Sequence, residues 1–552
     1  MRALNQRRNP RSEMHPWLNR FLFRRHREEP APWWMIFPIL YAFVFLTHIA
    51  LLRLPYFWDE AGYYIPAAYD FFRTHALIPY STLTNAHPPL PAIYLAFWWK
   101  VSGFAPFVTR LAICLVATFA LTAVFVLSRR LLNVPVAIAT TLLTALYPVW
   151  FTQSTLAHAD IYAAAGTLWG MVFALRELPS TGKGWWAAWW FSLAALSKET
   201  AIVTPLALAT WHVWETRRKP ASARGHWRIA VQLALPVLPL CGWYAYHFHK
   251  TGYVFGNPQY VQYNAVGTLH FVRFLLALAQ RIMQVTIYMN LFVPVLCMVA
   301  AIFLPALLQR DGTKRPRISW NAQAQIGIII GVNVLFFSVA GGAVLARYLL
   351  PLYPLILLLC VSTWRRRVLQ WPWIVALSVL AFLAGLFVNP PYRFAPEDNL
   401  TYRSMIVMQQ QGIAQVLHRA PGGTILTAWP ASDELTRPEL GYVRKPVHVI
   451  EIDNFSFPQI ESAANRRGYD AALVFSTKYE AVNSPSWMRF GDGQWNQKYF
   501  GEHYDLPPEV IARMLHGDMV WKVRSRGLWT AVLLFNRPQM AGTKATNQLL
   551  FR

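Results

Sequence analysis

Residues 1–388 of this 552-residue chain hold eleven acidic side chains. Five of them, Asp59, Glu60, Asp70, Asp160 and Glu199, fall on one side of a run of apolar segments. The other six, Glu13, Glu28, Glu29, Glu177, Glu215 and Asp311, fall on the opposite, strongly basic side. Charge held close to a bilayer is costly and is usually functional. The five acids therefore point to a polar site on the face they share, with Asp70 read as a solvated loop end. Two cations break the charge pattern on that face, Lys198 beside Glu199, and Arg347. Each calls for an anion there. An ammonium binds phosphate as a point charge, and a guanidinium binds it through two parallel hydrogen bonds. His87, next to Pro88-Pro89, has the chemistry to bind phosphate, a metal or an acceptor group. Asp160 can bind an acceptor or a metal, or cap a helix.

The elements that must position these groups are membrane helices. The chain is 55% hydrophobic and only 14% charged, whereas soluble domains carry about a quarter charged residues. A span needs about 20 apolar residues. Candidate spans cover 33–52, 111–127, 134–152, 160–176, 185–197, 200–214, 229–247, 286–308, 323–341, 347–363 and 371–388. The first follows an Arg-rich segment, 1–32, and is too long for a cleaved signal core. Basic clusters at Arg129-Arg130, Arg176 with Lys183, Arg217-Arg218-Lys219, Lys314 to Arg317, and Arg365-Arg366-Arg367 all fall in alternate loops. The positive-inside rule puts those loops and the N-terminus in the cytoplasm. The net charge of +25 is thus a topology signal, and nucleic acid is not expected as a partner. Four cysteines, Cys114, Cys241, Cys297 and Cys360, lie in apolar stretches and indicate no disulfide framework.

An odd number of spans places residues 389–552 outside. This tail has 18 Lys+Arg against 15 Asp+Glu. Its short apolar runs alternate with helix-like stretches, which predicts a soluble α/β domain. Two outer loops are long, 54–100 and 247–285. The first opens Trp58-Asp59-Glu60-Ala61-Gly62-Tyr63-Tyr64 and continues to His87-Pro88-Pro89-Leu90. Residues 60–73 read as an amphipathic surface helix. In the second loop, Tyr260, Tyr263 and Asn264 are candidate sugar or acceptor contacts. Phe271 to Met283 reads as another surface helix, with Arg273 and Arg281 on the outer side, placed to attract either the carrier lipid phosphate or ordinary anionic lipids.

Four segments, Trp58-Asp59-Glu60, His87-Pro88-Pro89-Leu90, Leu196-Ser197-Lys198-Glu199 and Ala346-Arg347-Tyr348-Leu349-Leu350-Pro351, carry a resemblance. Together they resemble the GT-C glycosyltransferases that use polyprenyl-phosphate sugars, in the branch of the protein O-mannosyltransferases and lipid A aminoarabinose transferases. The resemblance covers roughly residues 35–360, and Asp160 matches that family's second-loop acid. One departure is clear: the aminoarabinose transferases carry Glu-Lys before Pro-Pro, and this chain has Ala86-His87.

The resemblance implies a polytopic α-helical GT-C fold of about eleven spans. It also implies transfer of a sugar from a polyprenyl-phosphate carrier to an acceptor hydroxyl, with inversion. Asp59 is then the base, with Glu60 and Asp160 completing the catalytic set, and Lys198, Arg347 and His87 bind the donor phosphate. Tyr63, Glu199, Tyr260, Asn264 and Tyr348 are candidate sugar or acceptor contacts. No metal is required, although Asp59, His87, Asp160 and Glu199 would suit Mg or Mn if they converged. The acceptor class stays open between lipid, glycan and protein. A transporter without transfer chemistry is the alternative, but transporters favour midplane charges and repeated halves. The short inner loops suit a bacterial inner membrane, with the tail in the periplasm.

Overall fold

The computed structural model describes residues 33–175, 184–218, 220–262, 264, 268–466, 468–479 and 493–535. The basic segment 1–32, together with Arg176, Glu177, Lys183, Lys219 and Tyr263, lies outside the described residues. The protein is predominantly helical. Among the described residues five helices are long and apolar enough to cross a membrane: Pro106–Leu131, Ala223–Thr251, Phe271–Asn290, Trp320–Val339 and Ala346–Arg367. Four more apolar helices are shorter: Phe37–Leu51, Val134–Leu146, Phe292–Ile302 and Trp371–Phe387.

The expected spans all meet helical segments, but several are interrupted, and proline is the recurring cause. The 134–152 span is cut at Tyr147, which leaves the helical backbone just before Pro148, as residues preceding proline tend to do. The 229–247 span falls within the long helix Ala223–Thr251, whose hydrogen bonding is interrupted at Pro236 between Ala223–Ala234 and Val237–Thr251. Expected span 286–308 holds a helix of only 11 residues, Phe292–Ile302. The helix before it, Phe271–Thr286, does not lie loose on the surface. Its Arg273 and Arg281 are buried. Arg273 donates to the carbonyls of Gly341 and Gly342, and Arg281 to those of Phe337 and Leu345. The expectation that these two arginines meet lipid headgroups is therefore corrected: they are buried and donate to backbone carbonyls instead. The 60–73 segment is helical, as Glu60–Tyr64 in a wide π-turn and Ile65–Thr74 in an α-helix.

After the last apolar helix, the chain forms a five-stranded mixed sheet. Its strands are β1 (Ile425–Ala428), β2 (Val449–Ile452), β3 (Ala471–Phe475), β4 (Asp518–Ser525) and β5 (Leu528–Leu534). The order is β2-β1-β3-β5-β4. β1 runs parallel to β2 and β3, while β5 is antiparallel to β3 and β4. β1 and β3 are buried along their whole length, the pattern of central strands covered on both faces. Two apolar cores result. One sits among the helices around Trp99, Trp150 and Trp364. The other lies under the sheet and takes in Leu51, Phe57, Phe151, Leu156 and Leu386 from the helical region. The sheet thus rests on the segments that carry Asp59, Glu60 and Asp160.

Candidate active site

The first loop is fixed from both sides of Asp59. Trp58 adopts a left-handed backbone (φ 50°), which is uncommon for a bulky residue. Its ring packs edge-on against Trp429, 4.9 Å between centroids. On the other side Glu60 is fully buried. It accepts from the Phe57 amide at 2.9 Å and the Ala157 amide at 2.6 Å, and pairs with both terminal nitrogens of Arg110. Glu60, expected in the catalytic set, has its acceptor sites taken up inside the protein. Asp59, one residue earlier, keeps its carboxylate about a third exposed, at 35%.

Arg347 is the hub of the site. It stands in the short turn Ala346–Leu352 and is buried. Its Nη2 pairs with Asp59, its Nη1 with Glu397, and its Nε lies 3.3 Å from Asp160. Nη1 also lies 3.2 Å from His158 Nδ1. Three acids from three distant parts of the chain therefore share one guanidinium. Asp160 bridges to the second cation, with Lys198 Nζ at 2.6 Å. The same ammonium lies 4.0 Å from the centre of the Tyr348 ring, a cation–π contact. Burial, with Arg347 and Lys198 beside it, holds the His158 imidazole well below its ordinary value, so this ring is neutral at pH 7. Burial lifts the Glu397 carboxyl against the pull of Arg347, and Asp59, Asp398 and Asp160 add to the rise.

A second pair closes the opposite wall. His87 Nδ1 meets Glu199 Oε2 at 2.9 Å. Burial alone would raise the Glu199 carboxyl, but His87 and Lys198 outweigh it and hold it below its ordinary range. The rings of Tyr63, Tyr64 and Tyr260 surround His87 at 5.5, 6.0 and 5.7 Å. Asn264 accepts from the Gly342 amide at 3.0 Å and ties its own segment to the approach to Arg347.

One cavity of about 1600 Å³ is lined by Asp59, Tyr63, His87, Lys198, Glu199, Tyr260, Asn264, Arg347 and Tyr348. The structure thus brings nine of the sequence-derived candidates together, with Asp160 behind the wall and Glu60 turned away. Its far side comes from the sheet region, through Trp429, Lys478 and His503. Sequence reasoning missed Glu397, His158 and Trp429. Glu397 lies just beyond the last apolar segment, in Pro396–Asp398, so the count of outer acids would have found it had the count not stopped at 388. Among the described residues no group of three or more His, Cys, Asp or Glu is placed to hold a metal ion. The four residues considered for one divide into the Arg347 hub and the His87–Glu199 pair.

The fold and this cavity define a predominantly helical protein with candidate membrane spans and a polar cavity lined by acids and cations. Residues 86–243 match the family model described as dolichyl-phosphate-mannose-protein mannosyltransferase. The fold is similar to that of ArnT from Cupriavidus metallidurans. The apo structure is 14% identical, with 91% of this chain and 97% of that chain covered at a TM-score of 0.51. The form bound to undecaprenyl phosphate is 13% identical, with 91% and 98% covered at a TM-score of 0.52. No curated protein matches the chain by sequence. In fold and motifs, the chain resembles the GT-C glycosyltransferases of the protein mannosyltransferase and aminoarabinose transferase branch.

Proposed function

We propose that this protein is an integral-membrane glycosyltransferase that moves one sugar from a polyprenyl-phosphate carrier to an acceptor hydroxyl at the outer face of the membrane. The observation that carries the reading is the convergence of Asp59, Lys198 and Arg347 on one cavity, within a chain similar to carrier-dependent enzymes. The acceptor oxygen attacks the anomeric carbon and gives its proton to the Asp59 carboxylate. The bond from that carbon to the phosphate oxygen breaks, and its electron pair leaves with the lipid phosphate. Lys198 and Arg347 stabilise the charge that develops there. A single displacement of this kind inverts the anomeric centre. The tyrosines around His87 supply faces for the sugar.

Residues 33–388 form the catalytic unit in this reading. Residues 389–552 form an extracytoplasmic unit whose Trp429, Lys478 and His503 shape the acceptor side. A bacterial inner membrane with a cytoplasmic N-terminus fits the charge pattern. The test is binding of undecaprenyl phosphate to the full chain in nanodiscs, beside Lys198→Ala and Arg347→Ala. Each variant is expected to weaken binding about tenfold, roughly 1.4 kcal/mol. Wild-type affinity in both folded variants would remove the phosphate site, and with it the proposal.

A further inference from the structure

The proposed base is not free in this structure. Asp59 is tied to Arg347, the same guanidinium proposed to receive the donor phosphate. Arg347 already carries Asp160 and Glu397. A phosphate reaching that guanidinium would find Nη2 taken by Asp59, Nη1 by Glu397 and Nε facing Asp160. One partner must yield. Asp160 and Glu397 are enclosed, with side chains 3% and 4% exposed, whereas Asp59 is 35% exposed and lines the cavity. Asp160 is held a second time by Lys198. Among the described residues, no hydrogen bond or ion pair to the Asp59 carboxylate is evident besides that from Arg347.

We infer that Asp59 and the carrier phosphate exchange on Arg347. The incoming phosphate takes the guanidinium arm that Asp59 holds, and the released carboxylate becomes the base. Asp160 and Glu397 keep Arg347 in place during the exchange. The base is thereby masked until the donor is bound, which orders the reaction donor first. This inference rests on the carrier-phosphate reading of Arg347 given above.

The exchange makes Asp59 a competitor of the phosphate, so removing its charge strengthens carrier binding. Undecaprenyl phosphate is titrated into nanodiscs holding wild type, Asp59→Asn, Arg347→Gln and the double variant. Asp59→Asn is expected to bind about fivefold tighter, since the competent form of Arg347 is no longer a minor one. That gain is expected to vanish in the Arg347→Gln background, as a double-mutant cycle reports coupling between the two residues. A gain that persists there would mean a general field effect and would overturn the exchange. Equal or weaker binding by Asp59→Asn would overturn it too. Arg347→Gln binding like wild type would instead overturn the phosphate site itself, a separate outcome. Should Arg347→Gln fail to fold, infrared difference spectra on wild type and Asp59→Asn decide. Adding the carrier phosphate is expected to shift a carboxylate stretch in wild type that is absent from the variant. No such shift would end the proposal.

Discussion

Glu60 accepts hydrogen bonds from two backbone amides and from Arg110 in a site without solvent, next to an aspartate that stays a third exposed. Two adjacent acids of one motif therefore have different energetics. Arg110 in turn donates to the Pro55 and Thr155 carbonyls, so the pair knits the segments around Pro55 and Thr155 together. Replacing Arg110 with Met leaves Glu60 as a buried charge without its partner. Breaking a buried pair in this way costs about 3–5 kcal/mol. Arg110→Met is therefore expected to lower the thermal midpoint in detergent sharply. Asp59→Asn is expected to leave that midpoint nearly unchanged while abolishing transfer. Matching melting curves for Arg110→Met and wild type would show that the pair is not structural. The sequence placed both acids in the catalytic set by type and spacing, while helical geometry, which turns Glu60 away from Asp59, also offered it a structural role. Which of the two is enclosed depends on Arg110, fifty residues away, and no local pattern reports that.

Between residue and fold stands the 58–62 segment, held against the helix that follows β1. A Cβ on Gly62 would come within 2.8 Å of the Trp429 ring, which itself is wedged against Trp58. Gly62→Ala is thus an overpacking change, costing about 1–3 kcal/mol. It is expected to reduce turnover by shifting Asp59, and Trp429→Phe in the same chain is expected to restore part of it. No recovery in the double variant would place the damage elsewhere. The neighbouring helix Ala431–Thr436 contains Glu434, whose carboxyl burial pushes up to about 8 from 4.5. Between those values the folded chain holds a proton that the unfolded chain has lost. Stability from the neutral form is complete below about 4.5 and declines as pH rises toward 8. Glu434→Gln, neutral throughout, is expected to flatten the fall of the thermal midpoint across that window. An unchanged slope would assign it to other groups. At this scale the sequence was partly legible: apolar runs located the helices, while prolines at 148 and 236 interrupted them.

Across the whole molecule the two regions are joined by particular contacts, not only by the chain. Glu397 reaches Arg347, Trp429 reaches Trp58, Tyr442 donates to the Tyr56 carbonyl, and Arg526 donates to the Leu386 carbonyl. The second apolar core is shared between the sheet and the loops of the helical region. Motifs such as His87-Pro88-Pro89-Leu90 were readable because their residues are contiguous. The hub was not, because Asp59 and Glu397 meet only through Arg347, at sequence separations of 288 and 50 residues. A shared core implies that neither region is complete alone. Residues 1–388 expressed without the rest would leave Phe57, Phe151 and Leu156 facing water, and exposed patches of this kind drive association. Size-exclusion chromatography of that fragment in detergent is therefore expected to show aggregate. Co-expression of residues 389–552 as a separate chain is expected to restore a monodisperse peak that binds undecaprenyl phosphate. A fragment 1–388 that elutes as a single species, melts like the full protein and binds the carrier equally would show that the sheet is an appendage. In that case Arg347 would be positioned by the helices alone.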